Sequence, residues 1–393
     1  MANLFEGKNW ETLKEGLSSG LSDQQKSIFG QVLENTKKHM LKESASMGAT
    51  TSGNVATLNK IVLPILRRVM PNVIANNLIG VQAIQGPVAQ INTLRLRYAD
   101  TFGGANAGQE ALAPLDIAAA YSGNGAAAAP KAASTAQMEG FAGKRMNVQI
   151  VKQLAEAETR RLSARWTMEV AQDADNQYGV DMEAEIMATL AQEITQEIDQ
   201  EVLYRLRALA RTGATYDMTQ DTDFTGVPTF VGDRHAVLTT LIKQQANLIA
   251  ARTRRGAGNW IVVSPNQLSV LESATTSAFA RTTEGTFESA DNQKLAGVLN
   301  GNIKVFVDTY ATDSTPLLIG YKGTREVDAG AYFCPYVPLT ATEVMTDPNT
   351  FEKVVGFMTR YAYVEFTDSS QSFGNSADFF SKIEIPANSL KFI

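Results

Sequence analysis

The chain has 393 residues, 44% of them hydrophobic and 19% charged, a globular composition with more length than one compact core needs, so two or three discontinuous structural units are expected. The net charge of −6 argues against tight nucleic-acid binding by the whole chain, which calls for a basic excess, and leaves room only for a local basic patch. The single cysteine, Cys334, excludes an intrachain disulfide and fits a reducing compartment.

No apolar run reaches the roughly 18 residues of a membrane helix. The opening stretch "MANLFEGKNWETLKEGL" has neither the basic start nor the apolar stretch of a signal peptide. Residues 1–60 read as a polar arm. Within it, "SDQQKSIFGQVLENTKKHMLKE" places Ile28, Val32 and Leu33 at helical spacing behind the cap candidate Ser22, and "SASMGATTSGN" is a flexible joint. The arm holds too few apolar residues to fold alone.

The stretch "IVLPILRRVMPNVIANNLIGVQ" is dense enough in Ile, Val and Leu to be buried, and Gly86-Pro87 ends it with a turn. "VAQINTLRLRY" then alternates as a strand, and "RMNVQIV" alternates again at Met146, Val148 and Ile150. Between them lie about forty residues rich in Ala, Gly and Ser, where Gly123, Gly125 and Pro130 interrupt any helix. This is an extended, adaptable loop flanked by two strands. A lone hairpin of that kind is marginal in water and exposes unpaired edges, so it calls for support from outside its own subunit.

The strongest helix signal follows. Met182, Ile186, Leu190, Ile194, Ile198, Val202 and Leu206 recur at spacing four, with Asp181 as cap and Arg205, Arg207 and Arg211 near the far end. Spacing four exceeds the helical repeat of about 3.6, so the stripe drifts by about 40° per step and the helix meets different partners along its length. From about 215 to 340 strands ("NWIVVSP", "IKVFVDTY", "TPLLIGYKG") alternate with helices ("VLTTLIKQQANLIAART", "NQLSVLESA"), an α/β unit. The tail returns to strand in "FEKVVGFMTRYAYVEF".

Residues for catalysis do not assemble. His39 sits in the polar arm, and His235 stands alone near a helix start. Cys334 in "AYFCPYV" reads as a small buried hydrophobe. Gly143-Lys144 lacks the spacing and the Ser or Thr of a phosphate loop, because Arg145 follows. Gly123-x-Gly125 is a fragment of a dinucleotide fingerprint with no tight strand before it. "DTDFTG", Asp221 to Gly226, is half a calcium loop with Gly232 where the bidentate carboxylate belongs. The row Glu193, Glu197, Glu201 has no histidine at metal-ligand spacing and reads as a solvated or inter-subunit face. No cofactor is expected, and no metal.

The blocks "RRVMPNVIANNLIGVQAIQGPVAQINTLRLRYAD", "EAETRRLSARWTMEVAQDADNQYGVDMEAEIMATLAQEITQEIDQEVL", "GAGNWIVVSPNQLSVLES", "LAGVLNGNIKVFVDTYA", "IGYKGTREVDAGAYFCPYVPL" and "DPNTFEKVVGFMTRYAY" occur in this order over about 60–366. Together they resemble the major capsid proteins of T-even-type tailed bacteriophages. The resemblance implies an α+β fold of the Hong Kong 97 capsid type. It divides the chain into an N-terminal arm or propeptide (1–60), a peripheral domain (61–88 and 156–224) with a spine helix over about 181–211, an extended-loop hairpin (89–155), an axial domain (225–340), and a tail (341–393) returning to the peripheral domain. The extra domain that T-even members carry in the extended loop is not expected here, because the Ala/Gly-rich stretch is short.

It further implies a non-enzymatic shell subunit, forming hexamers and pentamers of a head that encloses DNA, in the virion and, during assembly, in the host cytoplasm. Its partners would be neighbouring capsid subunits through the extended loop and the arm, with scaffold, prohead protease, vertex, portal and decoration proteins, and neither a membrane nor a specific nucleic-acid sequence. The family's protease cuts after Glu in an Ile/Leu-x-Glu pattern, which Leu41-Lys42-Glu43 fits; Leu13-Lys14-Glu15 fits it too. Arg95, Arg97, Tyr98, Lys144 and Arg145 are the inter-subunit contact candidates on the hairpin. Lys144 as a cross-link donor is less favoured than an ordinary exposed lysine. Two other readings stay open: an encapsulin-type cellular compartment, marked by a cargo enzyme in the shell, and an unrelated soluble enzyme, marked by turnover in unassembled monomers.

Overall fold

The computed structural model describes residues 11, 15 and 26–35, and all of 73–390 except 103–104, 109–110, 112–120, 124–130, 140–142, 179–181, 219–230, 254, 275–278, 282–294, 300, 325–327, 343, 351, 367–374 and 388–389. Helices and strands are mixed throughout, the α+β class expected. The chain forms two compact units, one from 1–89, 154–203 and 332–364, the other from 90–153, 204–331 and 365–393.

In the first unit, helix α1 (26–35) buries Phe29, Val32 and Leu33. Asn35, also buried, donates from Nδ2 to the carbonyls of Ile84 (3.0 Å) and Tyr336 (3.1 Å). Part of the arm is therefore integral to this unit; Ser22, His39 and Leu41-Lys42-Glu43 lie outside the described residues. From Val73 the apolar stretch is buried as expected, at Val73, Ile74, Leu78, Ile79, Val81 and Ile84. The sheet runs β1 (Gly80–Val81), β11 (Ala331–Ala341), β13 (Lys353–Glu365), with β12 (Met345–Thr346) and β4 (Glu158–Trp166) both paired to β13. β4 and β13 are antiparallel in unbroken register from Lys353↔Trp166 to Tyr361↔Glu158.

After β4 comes helix α2 (Met168–Tyr178), whose amide of Val170 is capped by Thr167 Oγ1. The long helix expected over about 181–211 is α3 (Met182–Leu209). The drift of its stripe is visible. Ile194, Ile198, Val202 and Leu206 are buried, but nearer the start the buried row shifts to Met187 and Ala191, and Ile186 and Leu190 are only half-buried. Asp199, buried on α3, accepts the amide of Ile74 at 2.8 Å, an acceptor for a backbone N–H in an apolar surrounding.

The second unit holds a seven-stranded sheet in the order β5 (Arg211–Thr215), β14 (Phe380–Glu384), β10 (Leu317–Gly320), β6 (Trp260–Val263), β9 (Ile303–Val307), β8 (Leu295–Leu299), β7 (Phe279–Arg281). β6–β9 and β14–β5 are parallel; the other pairs are antiparallel. Helices α4 (Val231–Thr253) and α5 (Pro265–Ser273) supply Leu238, Leu241, Ile242, Ile249, Leu268 and Leu271 to the core, against Ile261, Val263, Val305, Val307, Leu317 and Ile319. Helix α5 starts where the sequence says it must. Ser264 Oγ accepts from the Gln267 amide, the Gln267 side chain returns a bond to the Ser264 amide, and Pro265 takes the first turn, where no donor is needed. Gly320 is required because a Cβ there would stand 2.1 Å from Cζ2 of the buried Trp260.

The tail divides: β13 lies in the first unit's sheet, and from Glu365 the chain belongs to the second unit, where β14 sits between β5 and β10. The reason is apolar: Phe380 and Ile383 are completely buried, and Phe380 packs on Trp260 with ring centroids 5.9 Å apart.

Candidate assembly surfaces

β2 (Val88–Tyr98) and β3 (Met146–Glu156) form the third, two-stranded sheet, the hairpin expected from their alternation. Along β3, residues 145–150 are exposed on both faces. Met146, Val148 (60% exposed) and Ile150 (59%) recur at spacing two on one face, an apolar stripe no described residue covers.

The hairpin's base is better built than its composition suggests. Tyr98 packs on Tyr121 with ring centroids 4.5 Å apart and planes tilted by 50°, and both are buried with Ala105 and Ala111 against Phe102. The Tyr121 hydroxyl donates to the Arg145 carbonyl at 2.6 Å and accepts the Asp100 amide at 3.2 Å, tying the two strands together. The amide of Gly108, whose φ is +86°, reaches the Tyr98 carbonyl, and that of Ala111 reaches the Leu96 carbonyl. Part of the Ala/Gly-rich stretch thus folds onto the hairpin instead of staying extended. Two tyrosines supply apolar area that alanine cannot.

These contacts place the hairpin candidates. Tyr98 is spent on this small core. The Arg145 amide donates to Asp100 Oδ2 at 3.3 Å, and its guanidinium stands 3.7 Å from Oδ1 of the same residue. The Lys144 ammonium lies 4.5 Å from the centroid of the Phe102 ring. Arg97 is half-buried, and the Arg95 side chain is outside the described residues. Lys144 and Arg145 stay exposed beside the apolar stripe of β3.

The row Glu193, Glu197, Glu201 is partly committed within the chain. Arg160 on β4 donates to Glu197 Oε2 at 2.8 Å, to Glu201 Oε2 at 2.5 Å and to the Tyr361 hydroxyl, which itself donates to Glu201. Burial first, and then the bond to Glu201, pushes the Tyr361 phenol above its ordinary value, so it remains a donor. This cluster joins β4, β13 and α3. Sequence reading missed Arg160: alternation in "ETRRLSARW" sets it and Arg161 on opposite faces without saying which face meets α3.

His235 is buried near the start of α4, with Nδ1 2.5 Å from Ser273 Oγ. Burial lowers its pKa, so it is a neutral ring bonded to a hydroxyl, and among the described residues no carboxylate stands behind it. Cys334 is fully buried and its thiol is pushed up to about 12, the inert state expected. Among the described residues no three His, Cys, Asp or Glu are arranged to hold a metal ion. The half calcium loop at Asp221–Gly226 lies outside them.

Comparison with known proteins gives one answer. The chain is 31% identical to the major capsid protein of Enterobacteria phage T4 over 92% of its length and 85% of that protein's. It is 31% identical to that of Escherichia phage AR1 over 92% and 85%, and 29% identical to that of Vibrio phage KVP40 over 83% and 80%. Solved structures similar to it include the capsid of Myoviridae phage XM1 (TM-score 0.45, 11% identity, 80% of this chain and 92% of that one) and a chain from Microbacterium phage Oxtober96 (TM-score 0.46, 12% identity, 79% and 90%). The profile of the family described as major capsid protein Gp23 matches residues 55–385. The chain belongs to the Gp23 major capsid protein family and is a structural protein of the tailed-phage capsid.

Proposed function

We propose that this major capsid protein closes a DNA-filled head from rings of six and five copies, and that the β2–β3 hairpin lies on a neighbouring copy in each ring. The observation that carries this is the stripe Met146, Val148, Ile150, each at least half exposed on a two-stranded sheet whose base has its own small core. Such a ribbon gains area and backbone partners only from another chain. One sequence facing itself head to tail generates rings that close. In this reading the first unit is the peripheral domain, with α3 as its spine, and the α/β sheet of the second is the axial domain.

The N-terminal arm would contact a neighbour and be cut after Glu43 by the head protease; the family match beginning at residue 55 supports that placement. Scaffold, vertex, portal and decoration proteins complete the partners in this reading, with assembly in the host cytoplasm. The net charge of −6 suits a wall against which DNA packs without adhering.

The test is the double variant Val148→Asp with Ile150→Asp. Both sites are exposed, so the lone subunit should melt as the parent does, within about 0.5 kcal/mol. Electron microscopy should show no closed shells. Normal particles from this variant would remove the role given to the hairpin.

A further inference from the structure

Strand alternation in β4 gives two arginine faces of opposite fate. Arg160 turns to α3 and meets Glu197 and Glu201. Thr159, Arg161, Ser163 and Arg165 turn the other way and are exposed. Register with β13 sets Arg165 beside Val354, Arg161 beside Met358, and Arg360 beside Thr159; Met345 of β12 extends the row from Val354. Arg360 is thus the diagonal neighbour of Arg161, about 7 Å away, and its guanidinium stacks 5.2 Å from the Tyr336 centroid. Among the described residues neither Arg161 nor Arg165 meets a carboxylate. The nearest acids by register, Asp347 and Glu352 at the β12–β13 turn, accept bonds from the Asn349 amide and the Thr350 hydroxyl. A face rich in Arg, Met and Tyr and poor in Lys and Ala has the composition of an interface centre.

Helix α2, in the same unit, is the complement. It has 11 residues, and each one whose side chain is described is exposed or half-exposed, including Met168 (42%) and Val170 (50%). A helix that short is marginal in water without a packed face. Glu169 and Asp173 meet no cation among the described residues. Four positions apart, they lie about 6 Å from each other on one helical face, close to the spacing of Arg161 and Arg360.

We propose that α2 of one copy docks on the arginine face of β4 and β13 in the next, with Glu169 and Asp173 against Arg161, Arg165 and Arg360, and Met168 and Val170 against Met345 and Met358. The two patches differ and belong to the same unit, so the contact is head to tail and repeats around a ring. This rests on the ring assembly proposed above and names a second surface for it, separate from the hairpin.

The experiment uses the full chain under conditions where the parent forms shells. Glu169→Arg with Asp173→Arg sets positive on positive; Arg161→Glu with Arg165→Glu sets negative on negative. Each pair alone should lower the assembled fraction about tenfold or more, measured by sedimentation and negative-stain microscopy. Combining all four substitutions in one chain restores opposite charges at every contact of either ring and should recover assembly. A parent that forms no shells would instead defeat the ring assembly itself. The docking is overturned if either variant assembles like the parent, or if the fourfold variant stays as defective as the pairs while keeping the parent's circular dichroism and melting curve. A second measurement does not depend on those variants folding. Arg161→Cys with Asp173→Cys, oxidised in assembled particles, should give disulfide-linked chains on a non-reducing gel, since Cys334 is buried. Monomer alone would overturn the docking.

Discussion

The β2–β3 hairpin and the seven-stranded sheet are written in similar residues and end in opposite states. In β6 all of Trp260, Ile261, Val262 and Val263 are buried, whereas Met146, Val148 and Ile150 of β3 are all exposed. Helices α4 and α5 cover the first within its own unit, and nothing described covers the second. A strand's apolar face is stabilised by whatever covers it, and in a shell subunit some of that cover is supplied by other copies. Substitutions in the sheet should therefore register in the lone subunit, and those on the hairpin stripe only in the shell.

The largest effect should come from Trp260→Ala, which removes the ring packed on Phe380. A loss of about 3–5 kcal/mol is expected in denaturant titration of the subunit. A loss near zero would break the contrast at its stronger end. Asp199→Ala leaves the Ile74 amide buried without an acceptor and should cost about 1–3 kcal/mol by the same titration. Tyr121→Phe keeps the ring contact with Tyr98 but deletes the hydroxyl between the Arg145 carbonyl and the Asp100 amide. About 0.5–1.5 kcal/mol is expected, confined to the hairpin base and read as faster amide exchange at Asp100.

pH sharpens the comparison further. His235 has a folded pKa below its unfolded value of about 6.5. Its unfolded form therefore binds the proton first as pH falls. Stability is intact above about pH 6.5 and declines as pH drops toward the folded pKa. Melting of the subunit between pH 7 and 5 should show this decline, and His235→Gln should reduce it. The smallest effect belongs to the stripe: Ile150→Ser should change subunit stability by less than about 0.5 kcal/mol while weakening assembly.

Much of this was legible beforehand. The spine helix was readable because seven apolar residues at spacing four leave no other regular structure, and α5 because Ser264, Pro265 and Gln267 spell a capping box. The hairpin strands were readable from alternation. The small core at the hairpin base was not, because Tyr121 stands alone among Ala and Gly and its partner Tyr98 is 23 positions away in the sequence. The return of the tail to the second sheet was equally hidden, since "FSKIE" fits an apolar strand in either unit.

By itself the sequence determined the local elements, the lack of an assembled catalytic site and the family, because these follow from periodicity, residue chemistry and blocks of residues in a fixed order. Only the tertiary structure decided which charges are spent inside the chain and which face outward. Arg160 and Arg161 are neighbours with the same chemistry; the pleat sends one to the carboxylates of α3 and leaves the other exposed, and nothing shorter than the packed sheet could distinguish them.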